Sequence, residues 1–426
     1  MSVMIPMKPI SGAPELQQTV DEVVQRTPVA DLHTHLYPPD FGSLCLWGID
    51  DLLTYHYLVA ELFRSSTVTP GQFWKLAKQR QADLIWETLF VRNTPLSEAT
   101  QGVVAVMTTL GLDPTKPDLS EARRFFQAQD LTEYTGRIMD LANVSELVMT
   151  NDPFNPREAA VWKRTEAFPR RFHAALRLDP LINNWASTCE ALDAEGFRCS
   201  GDLTPPTIDE VRRFLDVWIA RMRPLYLAMS LPFDFTYGDD SVRNRILRDA
   251  VLPTALQHRL PLAMMIGVAR QVNPALRDAG DSVGYAGIRH IERICLENPE
   301  VRFLVSMLSL ENQHELCVAA RKFSNLMPFG CWWFLNNPSL VTRITTQRLE
   351  MLGASFIPQH SDARVLDQLV HKWAHTRRAI AAALHDSYLR LMDDRYPLTR
   401  ERVERDVKRM FSGNFREWVG LSNRAG

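Results

Sequence analysis

The sequence lacks the marks of several protein classes. None of its segments approaches the roughly 20 apolar residues of a membrane span, and its start has neither the basic region nor the long apolar core of a signal peptide. It has no G-x-G-x-x-G or Walker loop, so a nucleotide cofactor is unsupported. The net charge is only −2, which provides no long basic surface for nucleic acid.

Cysteine is also scarce. The chain has six cysteines and no C-x-x-C spacing, which is typical of reduced core thiols in a cytosolic protein. Hydrophobic residues make up 46% of the chain and charged residues 23%, as in ordinary globular proteins. We therefore expect a cytoplasmic protein that binds neither membranes nor nucleic acid.

Short apolar runs alternate with longer amphipathic stretches, which predicts an α/β protein built from βα units. We predict strands at 29–33, 146–150, 173–178, 196–200, 261–267, 302–307, 325–332 and 354–359. Eight strands are the number that closes a (β/α)8 TIM barrel. We interpret 1–426 as one barrel domain, with a helical insertion over the barrel mouth at 37–142, containing a helix N-terminus at Thr94-Pro95, and C-terminal helices closing the barrel at 363–426.

The first predicted strand runs into the sequence Asp31-Leu32-His33-Thr34-His35. Alternate residues of a strand share one face, so Asp31, His33 and His35 are expected to point the same way, with two imidazoles able to reach one metal ion. The alternative is a pair of polar residues at a strand end. The carboxyl end of a barrel strand, where barrel enzymes place their chemistry, favours the metal.

A second candidate site, Ser361-Asp362-Ala363-Arg364, follows the last predicted strand. Strands 1 and 8 are neighbours in a closed barrel, so Asp362 completes a set of two histidines and one carboxylate, with positions open for water or substrate. Arg364 then places a cation beside the metal, suited to a substrate carboxylate. Alone, this segment is more typical of an N-cap aspartate with a surface arginine, and only the histidines of the first strand favour the metal.

Three other segments carry side chains that either pack or act. His56, next to Tyr57, lies on an apolar stripe, where a core histidine with aromatic packing neighbours is the default interpretation and proton transfer is the alternative. Arg177 ends the third predicted strand, as an anion clamp or as the partner of Asp179. Trp333 follows the seventh strand, where it either stacks on a sugar or packs in the core.

Taken together, these segments resemble the uronate (glucuronate) isomerases of the amidohydrolase superfamily. The resemblance rests on the opening strand at 28–36, His56-Tyr57, a Thr-x-Asp-Pro turn at 150–153, Arg177, Trp-Trp-Phe at 332–334 and Ser-Asp-x-Arg at 361–364. The matches occur in the same order along the chain. They extend over residues 28–364, and the helical tail also fits.

The resemblance implies a distorted (β/α)8 barrel of the amidohydrolase type and an intramolecular oxidoreductase acting on hexuronates, a small sugar-acid substrate. The reaction would be D-glucuronate to D-fructuronate, D-galacturonate to D-tagaturonate, or both. The resemblance also implies one divalent metal ion, zinc, and leaves a homo-oligomer open. The residues that it implies are His33, His35 and Asp362 for the metal, and His56, Tyr57, Arg177, Trp333 and Arg364 for the substrate. We interpret Asp362 also as a candidate base, with the His56–Tyr57 pair as the rival proton carrier.

Two departures keep other functions open. The fifth strand has Met265 where family members often carry a histidine, and the segment taken as the end of the fourth strand reads Ser200-Gly201-Asp202 instead of Ser-Asp-His. The alternatives are a metal-dependent hydrolase on the same scaffold and a non-catalytic sugar-acid-binding paralogue. A hydrolase would need a dedicated base for metal-bound water and has no need for two arginines.

Overall fold

A sheet of parallel strands forms the centre of the molecule in the computed structural model, which describes residues 8–421. The hydrogen-bonded order is β1-β2-β3-β4-β5-β7-β8, and the short β6 pairs antiparallel with β5. This curled sheet is the wall of a distorted (β/α)8 barrel. The strands are β1 Val29–Thr34, β2 Val144–Asn151, β3 Phe172–Arg177, β4 Leu227–Pro232, β5 Leu262–Ala269, β6 Ser282–Val283, β7 Phe303–Met307 and β8 Leu326–Pro328.

An irregular segment, 357–363, occupies the last position of the barrel and joins its two edges. On one side, Ile357 and the 328–330 segment exchange backbone hydrogen bonds of 2.9 and 3.1 Å. On the other side, Asp362 N donates to His33 O at 3.1 Å, and His35 N donates to Ala363 O at 2.8 Å. The barrel is therefore closed by a few backbone hydrogen bonds, and those next to β1 involve three candidate site residues, His33, His35 and Asp362.

The predicted strand at 196–200 is wrong, because this segment is a turn after a helix. Gly196 has a positive φ of 87°, and the Ser200 N–H donates to the Thr207 hydroxyl at 3.0 Å. The fourth strand is instead Leu227–Pro232, so Ser200-Gly201-Asp202 does not follow a strand at all.

The last two predicted strands are much shorter than expected. Only Leu326–Pro328 remains of 325–332, and 354–359 contributes a single bridge between Phe329 and Ile357. Pro328 and Pro358 explain the loss, because proline has no N–H to donate to a ladder.

Helices surround the barrel and fill the segment between β1 and β2. The helices are α1 Ala13–Arg26, α2 Ile49–Leu53, α3 His56–Ser65, α4 Pro70–Phe73, α5 Lys78–Trp86, α6 Glu98–Thr109, α7 Ser120–Gln127, α8 Leu131–Leu141, α9 Pro156–Arg164, α10 Asp179–Asn183, α11 Trp185–Ala194, α12 Pro205–Met222, α13 Val242–Ile246, α14 Leu252–His258, α15 Ile288–Glu297, α16 Asn312–Ala320, α17 Pro338–Leu352, α18 Gln368–Asp393, α19 Arg400–Lys408 and α20 Asn414–Trp418.

The segments at 37–142 and 363–421 are largely helical, although the roles of 37–142 as an insertion over the mouth and of the tail as the closing element stay predictions. Residues 1–7 and 422–426 of the predicted domain lie outside the described part of the chain. The helix expected from Thr94-Pro95 begins later, at Glu98, because the Ser97 hydroxyl accepts the Thr100 N–H as its N-cap. In the tail, α18 packs against α1, α6 and α17.

The cysteines are free thiols, as their spacing predicted, and five of the six are buried. Within residues 8–421, no helix is both long and apolar enough to cross a membrane.

Glu146, at the amino end of β2, ties the C-terminal tail to the bottom of the barrel. Its carboxylate accepts hydrogen bonds from Arg416 Nε at 2.7 Å and from His173 Nε2 at 3.0 Å. Burial opposes the charged form, but the two hydrogen bonds outweigh it and lower the pKa of Glu146 to about 2.

This carboxylate gives a pH-dependent contribution to stability. A glutamate with a lowered folded-state pKa stabilises the fold above its unfolded pKa, near 4.5, and the stability is lost as pH falls toward 2. Because Arg416 is half exposed, we expect Glu146→Gln to lower the free energy of unfolding by about 1–2 kcal/mol at pH 7. In urea unfolding, the difference between the two proteins should shrink below pH 4.5. A constant difference down to pH 3 would contradict this role.

Candidate metal centre at the barrel mouth

Three side chains meet at the junction of β1 and the closing segment; we call His33, His35 and Asp362 the barrel-mouth group. The ligand atoms that they offer lie within 4.8 Å of one another. His35 Nε2 is 3.4 Å from Asp362 Oδ1, and His33 Nε2 is 3.8 Å from the same oxygen. The backbone bonds across the junction fix this arrangement, so the structure brings together the residues expected to bind the metal.

The hydrogen bonds of Thr150 determine which ring nitrogen of His35 carries the proton and which faces Asp362 with a lone pair. The Thr150 hydroxyl donates to Thr34 O at 2.8 Å, so its oxygen is free to accept from His35 Nδ1 at 3.0 Å. This bond places the ring proton on Nδ1 and leaves a lone pair on Nε2. The lone pair faces the carboxylate oxygen of Asp362, which has no hydrogen-bond partner among the described residues.

Two acceptors at this distance are compatible only when a cation or a proton lies between them. Burial, followed by the nearby Arg364 cation, lowers the pKa of His35 to about 4, so the ring is neutral at pH 7. Burial likewise holds the pKa of His33 well below its usual value. A set of two neutral imidazoles and one carboxylate therefore fits a divalent metal ion, with further positions open.

Burial would raise the pKa of Asp362, but the neighbouring histidines reverse the effect. The side-chain contact with His35, followed by the proximity of His33 and His360, holds the pKa of this carboxyl below its usual range. Asp362 is therefore ionised, as a metal ligand must be.

His56, Tyr57 and Trp333 form an aromatic cluster beside the group. The His56 ring lies 4.6 Å from Tyr57 and 5.7 Å from Trp333, measured between ring centroids. His56 Nε2, the Tyr57 hydroxyl and Trp333 Nε1 are all buried without a hydrogen-bond partner among the described residues. Purely structural packing would leave three costly unsatisfied groups here, whereas a polar ligand would satisfy them.

Trp333 and Asp362 share an uncommon backbone conformation. Their φ angles are +48° and +49°, in the left-handed region that residues other than glycine rarely adopt. Such conformations are costly and concentrate at functional sites. Both residues are therefore held in position by the surrounding fold.

The two arginines differ in their surroundings. Arg177 donates to the Asp179 carboxylate through Nε at 2.9 Å and Nη2 at 2.5 Å, so it is the partner of Asp179. Arg364, in contrast, forms no ion pair within residues 8–421, although its charge acts on His35 and His56. Of the two arginines, only Arg177 therefore has a carboxylate partner among the described residues.

A cavity of about 550 Å³ opens at the carboxyl ends of β2 to β5. Arg177 belongs to its lining, whereas no member of the barrel-mouth group does among the described residues. The position agrees with the face on which barrel enzymes bind their substrates.

Three residues outside the predicted set of metal ligands support the centre. Asp31 accepts from Ser361 N at 3.0 Å and from Trp373 Nε1 at 2.9 Å, so it orients the closing segment and is not directed at the metal. Lys372 Nζ donates to Ser361 O at 2.7 Å. His360 packs against His33, with 5.2 Å between ring centroids. These roles depend on contacts between residues far apart in the chain, so no local sequence pattern indicates them.

The solved structures that resemble this chain include three isomerases. A uronate isomerase from Bacillus halodurans C-125 is 49% identical, covers 98% of this chain and 100% of its own, and has a TM-score of 0.95. A uronate isomerase from Thermotoga maritima is 13% identical, with a match that covers 95% of this chain and 97% of that protein and a TM-score of 0.77. A glucuronate isomerase from Caulobacter crescentus is 15% identical, with a match that covers 97% of this chain and 98% of that protein and a TM-score of 0.77. At these lower identities the last two show the fold alone.

Comparisons by sequence gave no match, either to a protein-family model or to a curated protein. The identity to the Bacillus halodurans protein extends over nearly the whole of both chains. The barrel is also consistent with the amidohydrolase superfamily, and the relatives are enzymes of the isomerase class. The chain therefore belongs to the uronate isomerases.

Proposed function

We propose that this isomerase interconverts the aldose and ketose forms of hexuronates, D-glucuronate with D-fructuronate, D-galacturonate with D-tagaturonate, or both. One observation carries the proposal. His35 and Asp362 face each other at 3.4 Å in a buried group that suits a metal ion, and the Arg364 cation, which has no ion pair among the described residues, lies nearby. His33, His35 and Asp362 would lie at the reacting end of the sugar. Arg364 would bind the carboxylate that distinguishes a uronate from a neutral sugar.

His33, His35 and Asp362 would hold one divalent ion, and the neutral imidazoles favour zinc. The chemistry supplied there would be Lewis-acid polarisation of the reacting oxygens of the substrate. Thr150 keeps His35 in the tautomer that binds metal, through the 3.0 Å contact with Nδ1.

The reaction moves a proton from C2 to C1 and a second proton between the two oxygens, which requires a base near C2. Asp362 is one candidate, and the His56–Tyr57 pair is the other. The pair is favoured by its unsatisfied polar atoms, His56 Nε2 and the Tyr57 hydroxyl, because both are available to the substrate. Trp333, next to His56, would support one side of the sugar.

We propose that Arg364 and Arg177 hold the C6 carboxylate, with Arg364 providing the larger share. Asp179 already neutralises much of the Arg177 charge. Because all six cysteines are free, we place the reaction in a reducing compartment, the cytoplasm.

A substrate panel tests the proposal. The zinc-loaded protein is incubated with D-glucuronate, D-galacturonate and the neutral sugars D-glucose and D-galactose, and ketose formation is followed. We expect ketose from at least one uronate and none from the neutral sugars. Cleavage of the substrate would favour the hydrolase alternative, and binding without turnover would favour the non-catalytic paralogue.

Replacing Arg364 with lysine keeps the charge but removes the planar fork that binds a carboxylate through two hydrogen bonds. We expect Arg364→Lys to lower kcat/KM by about 10²-fold, on the order of the 1.5–3 kcal/mol of a charged hydrogen bond, and to keep the metal. Arg343→Lys, at an exposed position on α17, is the matched control and should match the unmodified protein. Equal activity of the two variants would rule out bidentate recognition by Arg364.

A further inference from the structure

A second group of metal-binding side chains lies outside the barrel mouth, between α6 and α18; we call Glu98, His371 and His375 the helix-pair group. His371 and His375 are four residues apart on α18 and therefore share one face of the helix. Glu98 Oε1 lies 3.1 Å from His371 Nε2 and 3.4 Å from His375 Nδ1. Both imidazoles are more than nine-tenths buried.

The hydrogen bonds on the far side of His375 fix its tautomer. Gln359 Oε1 accepts from Cys331 N at 2.5 Å, so Gln359 Nε2 is the donor to Asn336 Oδ1 at 2.7 Å. The atom of Asn336 that faces His375 is therefore an oxygen, which can only accept. His375 Nε2, 3.4 Å from it, must carry the ring proton.

It follows that Nδ1 of neutral His375 directs a lone pair at the Glu98 carboxylate. Two acceptors face each other at 3.4 Å, as His35 and Asp362 do in the barrel-mouth group. A cation bound to both atoms removes the conflict.

The dimensions of the group suit a tetrahedral transition metal. Ligand bonds of about 2.1 Å place neighbouring donors about 3.4 Å apart, and the two contacts of Glu98 measure 3.1 and 3.4 Å. A small cavity lined by Glu98, His371, Lys372 and Tyr57 has room for about one water molecule, which could fill the fourth position.

Gly102 makes the space for this arrangement. It lies one turn after Glu98 in α6, and a Cβ atom at this position would be 2.5 Å from His371 Nε2. Glycine inside a helix costs about 1 kcal/mol relative to alanine. Here it allows the His371 ring to lie against α6 and point at Glu98.

We propose that Glu98, His371 and His375 form a second metal site, which binds a divalent transition metal ion of the zinc class and fastens α6 to α18. The site is separate from the barrel-mouth group and does not depend on the hexuronate reaction. Two imidazoles and one carboxylate are donors that zinc and cobalt(II) share. The ion would join two helices whose ligands are 273 residues apart in the chain.

Metal content of the full chain tests the second site. The protein is stripped with a chelator, reloaded with Co²⁺, dialysed and analysed for cobalt. We expect two equivalents in the unmodified protein, and one in each of Glu98→Gln, His375→Gln and the double variant His33→Asn/His35→Asn. Glu61→Gln is the matched control, because Glu61 lies next to the group, accepting from Ser97 Oγ at 2.7 Å, but is not part of it. This control should keep two equivalents.

A second variant leaves every ligand in place. Gly102→Ala should displace His371 and lower the cobalt content to about one equivalent, while the visible spectrum of the barrel-mouth ion remains. Adding Co²⁺ to the stripped double variant should also raise its Tm, which reports the second site without any assay of activity. One equivalent in the unmodified protein, or two in Glu98→Gln, would overturn the proposal.

Discussion

The double variant His33→Asn/His35→Asn will lose the barrel-mouth metal and about 10³-fold or more of its turnover. The two imidazoles supply two of the three protein ligands, and asparagine does not replace them as neutral nitrogen donors. The several kcal/mol of charge stabilisation that a Lewis acid provides correspond to a rate loss of this order. Metal analysis after dialysis, with turnover measured on the same sample, checks both effects.

His258→Asn is the control for this experiment. His258 pairs with Asp216 at 2.6 Å on the outside of the barrel and is part of neither metal-binding group. We expect its metal content and turnover to equal those of the unmodified protein. A double variant that keeps all its metal would refute the barrel-mouth assignment.

The second large effect concerns His56 and Tyr57. We expect His56→Asn and Tyr57→Phe each to lower turnover by about 10²-fold or more, the scale of a positioned proton carrier, and to change Tm little. The reason is that His56 Nε2 and the Tyr57 hydroxyl make no hydrogen bond to any residue of 8–421. Removing them breaks no internal bond and deprives only the substrate of a partner. Steady-state kinetics and thermal unfolding measure the two quantities.

Tyr134→Phe provides the opposite pattern. The Tyr134 hydroxyl donates to the buried Asp367 carboxylate, and its loss leaves a buried charge with one partner fewer. We expect this variant to melt earlier with turnover unchanged. If His56→Asn and Tyr57→Phe behave in the same way, both residues belong to the core and Asp362 is the remaining candidate base.

The sequence was sufficient to predict the barrel-mouth group as a neighbourhood. His33 and His35 follow from the alternation of side chains along a strand, and Asp362 follows from the adjacency of the first and last barrel positions. The structure confirms the barrel and the proximity of the three residues. Their roles as ligands, and those of the substrate residues, stay predictions.

Other features depend on contacts that no local pattern contains. The fourth strand is at 227–232 and not at the predicted 196–200. Short apolar segments look alike until the strands that they pair with are known. The closing segment lacks a regular ladder because of its prolines. The pairing of Arg177 with Asp179 was one of two readings of the sequence, and only the side-chain geometry favours it.

The helix-pair group combines one part that a local sequence pattern can indicate with one part that it cannot. The spacing of His371 and His375, four residues apart on one helix, is a local pattern typical of metal binding. Glu98, in contrast, comes from a segment far away in the chain and meets the histidines only when α6 packs on α18.

Proton NMR of the metal-loaded protein with D-glucuronate or D-galacturonate in deuterated water tests the central claim most directly. Isomerisation turns the aldehyde carbon C1 into a methylene carbon. The account therefore predicts that the anomeric proton signals decline while C1 methylene signals of the ketose rise, and that the Arg364→Lys variant shows the same change about 10²-fold more slowly. Anomeric signals that persist with every hexuronate, or products of bond cleavage, would contradict the assignment of this chain as a hexuronate isomerase.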